Sequence, residues 1–152
     1  MHSRIFQVSL DPIATEDYIE ESLYWDHWFV NEIADYITDS DRSEDIKWLK
    51  GCYDGLTFGK DNNGDYFIVE SKEQYFQPKF KRFKNEVDSI KSCTLGEFTK
   101  EIGAVWELKN AYEDRFGFYV DLNGELFNFD TFIRICVPQG KYYIGGTIDY
   151  HF

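Results

Sequence analysis

Hydrophobic and polar positions switch between two periods along this chain, and the switches mark the elements. Arg4 to Leu10 (RIFQVSL) places apolar residues at Ile5, Val8 and Leu10 with a slip at Phe6. That is the two-residue rhythm of a short strand, ended by Asp11-Pro12. Residues 14–22 are polar and acidic, with Tyr18 and Ile19 as their only anchors, and read as a loop or one helical turn. From Trp25 the period lengthens. Trp25, Phe29, Ile33, Tyr36 and Ile37 fall at helical spacing and predict a helix whose buried side they form. Ser43 then predicts the cap of a second short helix over 44–50, with acids in its first turn as the helix dipole favours.

Residues 55–60 and 65–70 are β-rich runs around Asp61-Asn62-Asn63-Gly64, a hairpin signal because Asn and Gly tolerate positive φ. Phe76, Phe80, Phe83, Val87 and Ile90 recur at intervals of three and four. They predict an amphipathic helix, most firmly from Pro78, since proline fits a first helical turn. Thr94-Leu95-Gly96-Glu97 matches a capping box. Leu95, Phe98, Ile102, Val105, Trp106 and Tyr112 extend from it as a further helix, expected to pack antiparallel on the previous one. From Phe116 the chain reads as β: a hairpin about Asn123-Gly124, a run over 131–137, and two segments joined by Gly145-Gly146, where a bulge or sharp bend is expected. The expected fold is one α+β domain over residues 1–152. Its sheet is antiparallel, made of an N-terminal strand, a central hairpin and a C-terminal meander, and is packed with four helices.

Composition supports an ordered core and narrows the partners. The chain has 152 residues, enough for one core without metal or disulfide staples, and 19% of them are aromatic. Its net charge of −12 is uneven: −11 over residues 1–70, +3 over 71–100 and −4 over 101–152. Nucleic acids and anionic membranes bind through Lys and Arg, so such a chain is repelled by them and drawn to basic partners. The same acidity also serves solubility. Cys52, Cys93 and Cys136 are odd in number and form no CxxC pair, as expected of free thiols in a reducing compartment. Residues 1–12 contain no long apolar core, so the expectation is a cytoplasmic protein with no membrane span.

The candidate site is a row of carboxylates. Glu32, Asp35 and Asp39 stack on one face of the predicted helix, where like charges repel by a few tenths of a kcal/mol, ~0.2–0.5 per pair. No Lys or Arg lies between Arg4 and Arg42 to relieve them. The face is either solvated or made to meet positive charge. With Asp41, Glu44 and Asp45 these residues form the expected partner-binding set. The run Asp39–Asp45 starts like a calcium loop, but Glu44 stands where such a loop needs Gly and Lys50 where it needs Glu.

Catalytic motifs are sparse. His2, His27 and His151 are scattered, and there is no GxSxG, Walker-type loop or GxGxxG. Asp54, followed by the hairpin and Glu70-Ser71-Lys72, resembles the acid and acid-x-Lys spacing of restriction-endonuclease-like nucleases. That resemblance implies carboxylates holding Mg²⁺ and a lysine stabilising the attacking water. It covers three residues, and acid-x-Lys also occurs at Asp45–Lys47 and Glu107–Lys109. The sequence otherwise asks for no cofactor.

The leading expectation is a non-enzymatic acidic inhibitor whose carboxylates stand in for phosphates and block a nucleic-acid-handling enzyme such as a CRISPR or restriction nuclease. Phages and mobile elements carry proteins of that kind. The alternatives are an immunity protein that neutralises a basic toxin, and a metal-dependent nuclease using Asp54, Glu70 and Lys72.

Overall fold

The last strand of the chain is the one the rest of the sheet assembles on. The computed structural model describes residues 1–100 and 103–152. In chain order the elements are β1 (His2–Ser9), short 3-10 turns at Thr15–Asp17 and Glu21–Tyr24, α1 (Phe29–Glu32), β2 (Tyr36–Asp39), α2 (Arg42–Cys52), β3 (Leu56–Asp61), β4 (Gly64–Val69), α3 (Lys72–Lys91), α4 (Leu95–Phe98), α5 (Gly103–Tyr112), β5 (Tyr119–Leu122), β6 (Glu125–Asn128), α6 (Phe129–Ile135) and β7 (Lys141–His151). The result is a single α+β domain with a seven-stranded sheet ordered β3-β4-β7-β1-β5-β6. Along one edge β7 pairs with β1; along the other, β4 takes its first residues and β2 its last.

The expected antiparallel sheet is in fact mixed, because β1 and β5 run parallel, Ile5 opposite Tyr119 and Val8 opposite Leu122. Parallel neighbours need a long crossover, and here more than a hundred residues separate them in the chain. Both faces of the sheet are covered. Phe6, Val8, Phe67, Val120, Tyr142 and Ile144 face α2, the start of α3, and α6. Ile5, Tyr119, Ile148 and Tyr150 face the opposite way and are covered by Ile19, Tyr24, Phe29 and Ala34.

Both predicted hairpins form. Asn123 and Gly124 have φ of 55° and 85°, the twist-matching turn that Asn-Gly favours. In β3–β4 the turn lies one residue early, at Asn62-Asn63, with Asp61 opposite Gly64. The double glycine also forms its bulge: Gly145 and Gly146 stand opposite Gln7 alone. A Cβ on Gly146 would sit 2.7 Å from the Ile19 carbonyl, so only glycine lets the covering segment lie this close. Gln7 fixes that approach, its Oε1 accepting from the N–H groups of Ile19 and Gly146.

Several helical expectations are corrected. The helix predicted over Trp25–Ile37 does not form. The chain makes a 3-10 turn and one interrupted turn, with Asn31 at φ 83°, and then enters β2. Tyr36-Ile37-Thr38 is β-prone, and the free edge of β7 gives it a strand to pair with. The run over 131–137, expected as β, is helix α6. Phe129, Phe132, Ile133 and Cys136 are buried at helical intervals, and Asn128 caps the helix.

α2 starts earlier than expected, capped by Asp41 rather than Ser43. α3 begins at Lys72 with Ser71 as its cap, so Pro78 lies inside it. The Thr94–Glu97 capping box forms, but α4 lasts a single turn and α5 begins at Gly103. Ile102, expected in that helix, lies outside the described residues. α3 and α5 do pair, with Arg82 bonded to Glu107 and Phe83 beside Tyr112. The described helices number six against four expected, and two of them are single turns.

Candidate functional site: the acidic cover and its cleft

The segment from Asp11 to Asp41 is the cover of one sheet face, held from beneath at a few points. Tyr24 donates its hydroxyl to Asp121 of β5 at 2.6 Å in the core. Burial, reinforced by the Asp121 charge, raises the Tyr24 phenol well above its ordinary pKa and keeps it a donor. Phe29 is wedged between Tyr119 and Tyr150, with ring centroids 4.7 and 5.0 Å away. β2 completes the attachment through β7. Residues between these anchors turn outward. Trp25 is 63% exposed and Trp28 50%, although spacing assigned Trp25 to a buried stripe.

The six predicted site residues do not form one row. Without the helix, Glu32, Asp35 and Asp39 have no common helical face, since Glu32 ends α1, Asp35 precedes β2 and Asp39 ends it. Asp35 Oδ2 lies 3.3 Å from His151 Nδ1, near enough for an ion pair but outside hydrogen-bond geometry, so that buried nitrogen has no hydrogen-bond partner. Asp39 and Glu21 tie the cover together by exchanging backbone-to-carboxylate bonds of 3.3 Å. Asp41 is the cap of α2, accepting from the N–H groups of Ser43 and Glu44. Glu44 is exposed beside Lys47.

Asp45 is removed from any partner surface. It is 3% exposed and pairs with Arg4 beneath α2. It also accepts from Ser40 and, at 2.7 Å, from Thr147. Arg4 itself bridges to Asp149 and lies over the Trp48 ring. Arg42, the first cation after Arg4, is internal too. Its guanidinium donates to the carbonyls of Ile144 and Gly145, which lie in the stretch of β7 edge between the β4 and β2 pairings, and to Asp65.

The basic helix α3 leaves the acidic cover alone. Lys79 bonds the buried Asp130 at 3.0 Å, Arg82 bonds Glu107, and Lys84 has no ion pair among the described residues. Among the described residues, none of the ten carboxylates from Asp11 to Asp41 pairs with a Lys or Arg.

A cleft of about 590 Å³ opens at one margin of the cover. Trp28, Glu32 and Ile33 form one wall; Lys109 and Tyr112 of α5, Glu113 and Arg115 form the other, with Tyr119, Asn128 and Thr131 also lining it. Arg115 donates to the Glu32 carbonyl, and Thr131 donates to Glu113 at 2.6 Å. Burial pushes the Tyr119 phenol up to about 12, and its hydroxyl donates to the Arg115 carbonyl. Sequence spacing offered no sign of this cleft, because its walls come from residues 28–33 and 109–131, segments far apart in the chain.

The fold gives the lysine of the nuclease-like triplet another task. Lys72 Nζ donates to the carbonyls of Arg134 and Cys136 at 2.8 and 2.9 Å, satisfying the C-terminal end of α6. Asp54 and Glu70 are exposed together at the open end of the β3–β4 hairpin, where the Glu70 N–H donates to the Gly55 carbonyl at 2.9 Å. Among the described residues, no group of three or more His, Cys, Asp and Glu side chains is placed to hold a metal. His27 accepts from the Phe29 N–H at 3.2 Å and packs on Tyr24 and Trp28, so it shapes the cover. No described helix is long and apolar enough to cross a membrane. No protein family, curated protein or solved structure matches the chain.

Proposed function

We propose that this protein is an acidic binding protein whose cover segment docks on a basic protein, and that it inhibits a nucleic-acid-handling enzyme of the CRISPR or restriction-nuclease type. One observation carries the reading: the carboxylates from Asp11 to Asp41 have no Lys or Arg partner among the described residues. A cationic cleft shaped for phosphates provides the missing charges. Glu32, Asp35, Asp39, Asp41 and Glu44 remain accessible contributors, and Asp45 leaves the set. Trp25 and Trp28 add the rigid apolar anchors that concentrate binding energy in protein interfaces. The proposed setting is a phage or mobile element acting in the cytoplasm, in keeping with three free cysteines.

The test is capture of partners on the immobilised protein, with elution by rising salt and by duplex DNA in parallel. The expected partner is a nuclease released by both, since exposed charges are screened beyond ~8 Å at physiological ionic strength. Combined Glu32→Lys, Asp35→Lys and Asp39→Lys substitution abolishes its capture. A partner that resists salt and DNA and still binds the triple variant refutes the proposal.

A further inference from the structure

The cleft between the cover and α5 shares Trp28 and Glu32 with the acidic cover and adds cations that the cover lacks. We infer that it is a binding site for a small planar aromatic anion, a ring bearing a phosphate or carboxylate. Its volume of about 590 Å³ lies within the range of small-molecule sites, ~300–1,000 Å³. Trp28 and Tyr112 are half-exposed where they line it, and the Arg134 guanidinium lies 4.2 Å from the Tyr112 ring centroid. Aromatic walls of this kind stack planar ligands.

The cations point to the sign of the ligand. Lys109 and Arg115 line the cleft, and neither forms an ion pair among the described residues. Lys109 stands 6.0 Å from the Trp106 ring centroid, and Arg115 gives a guanidinium N–H to a neutral carbonyl, that of Glu32. They bring two positive charges into one concavity of a chain whose net charge is −12, beside Glu32 and Glu113.

The two acids at the cleft are differently engaged. Glu113 is turned to Thr131 and lies 3.8 Å from Arg134, so its charge is offset from the α6 side. Glu32 is exposed at the mouth and can accept from ring N–H groups, which favours a nitrogen heterocycle over a plain hydrocarbon ring. The anionic group falls to Lys109 and Arg115, and the ring to Trp28 and Tyr112.

Calorimetric titration of the full chain decides the matter. The probes are adenosine monophosphate, uridine monophosphate, benzoate and inorganic phosphate. The expected result is saturable one-to-one binding of at least one aromatic probe, with phosphate alone at least about ten-fold weaker. Arg115→Gln, Lys109→Met and Trp28→Ala each weaken that binding by about ten-fold or more, the size expected for a charge-assisted bond or a stacked ring. Lys91→Met, at the far end of α3, leaves it unchanged. Circular dichroism confirms that each variant is folded. If the nucleotides bind and benzoate does not, the anion is a phosphate on a heterocycle; the reverse identifies an aromatic carboxylate. No heat with any aromatic probe, equal affinity for phosphate alone, or binding indifferent to all three cleft substitutions overturns the inference. Trp28 and Glu32 belong to both surfaces, but Lys109 and Arg115 belong to the cleft alone, so capture of a basic protein that survives Arg115→Gln and Lys109→Met while ligand binding is lost separates the two readings.

Discussion

Replacing Asp45 with alanine separates scaffold from binding surface most sharply. The carboxylate is 3% exposed and accepts from Arg4, Ser40 and Thr147, so α2, β1 and β7 meet on one side chain. Removing one member of a buried ion pair costs about 3–5 kcal/mol, because the other charge stays desolvated. Arg4 keeps Asp149, which places Asp45→Ala at the lower end, about 3 kcal/mol. Against a total of about 5–15 kcal/mol for ordinary domains, that is a large fraction. In a chain of this size each kcal/mol moves the melting temperature by about 2–4 °C, so Tm falls by roughly 6–12 °C. Thermal unfolding followed by circular dichroism measures it, with Glu44→Ala as the control one residue earlier in the same helix. Glu44 is exposed, and its loss changes stability by no more than about 0.5 kcal/mol. If Asp45→Ala melts within a degree of Glu44→Ala, the assignment of Asp45 to the scaffold is wrong.

Gly146→Ala forces a Cβ to within 2.7–2.8 Å of the Ile19 backbone, lifting the cover from the bulge at a cost of about 1–3 kcal/mol; Gly51→Ala, in α2 with nothing within 4 Å, gains about 0.5–1 kcal/mol, and urea midpoints read both. Tyr75→Phe removes a hydroxyl that donates to buried Asp130 at 2.8 Å, which costs about 1–2 kcal/mol by the same measurement and loosens α3 against α6. Hydrogen bonds from the Thr94 N–H and then its hydroxyl hold the Glu97 carboxyl below its ordinary pKa of 4.5. Its contribution is therefore present above pH 4.5 and lost as pH falls through the lowered value. Protection of the amides of residues 95–98, measured against their intrinsic exchange rates, falls over that window in the native chain and not in Glu97→Gln.

The contrast between the two misread stretches explains how much of the molecule its sequence revealed. In residues 129–136 the buried positions do follow the helical period, but TFIRICV is β-prone by composition, and local preference concealed the period. In residues 25–37 the reverse holds. The helical spacing is present, yet β2 gains more from the vacant edge of β7 than a helix of aromatics and repelling acids could provide. A pairing partner more than a hundred residues away cannot be read from a local window. The candidate site shares that limit. The excess of acid over residues 11–41 was visible, because charge adds along the chain whatever the fold. Which carboxylates face outward was not, because Asp45 is buried by Arg4 and Thr147, at the two ends of the sequence.

By itself the sequence determined what depends on neighbours in the chain: the Asn-Gly turn, the Thr94–Glu97 cap, the glycine bulge, the existence of helix α3 (though Phe80 of its predicted apolar stripe is 57% exposed) and the sign of the field. Each is set by φ preference, a side chain reaching its own backbone, or the 3.6-residue period. Only the tertiary structure decided the parallel pairing of β1 with β5, the strand at Tyr36–Asp39, the outward turn of Trp25 and Trp28, and the cleft that joins Glu32 to Lys109 and Arg115. Those features follow from which edges and faces remain open once β7 is in place, and that competition is settled among distant segments by the surface they bury together.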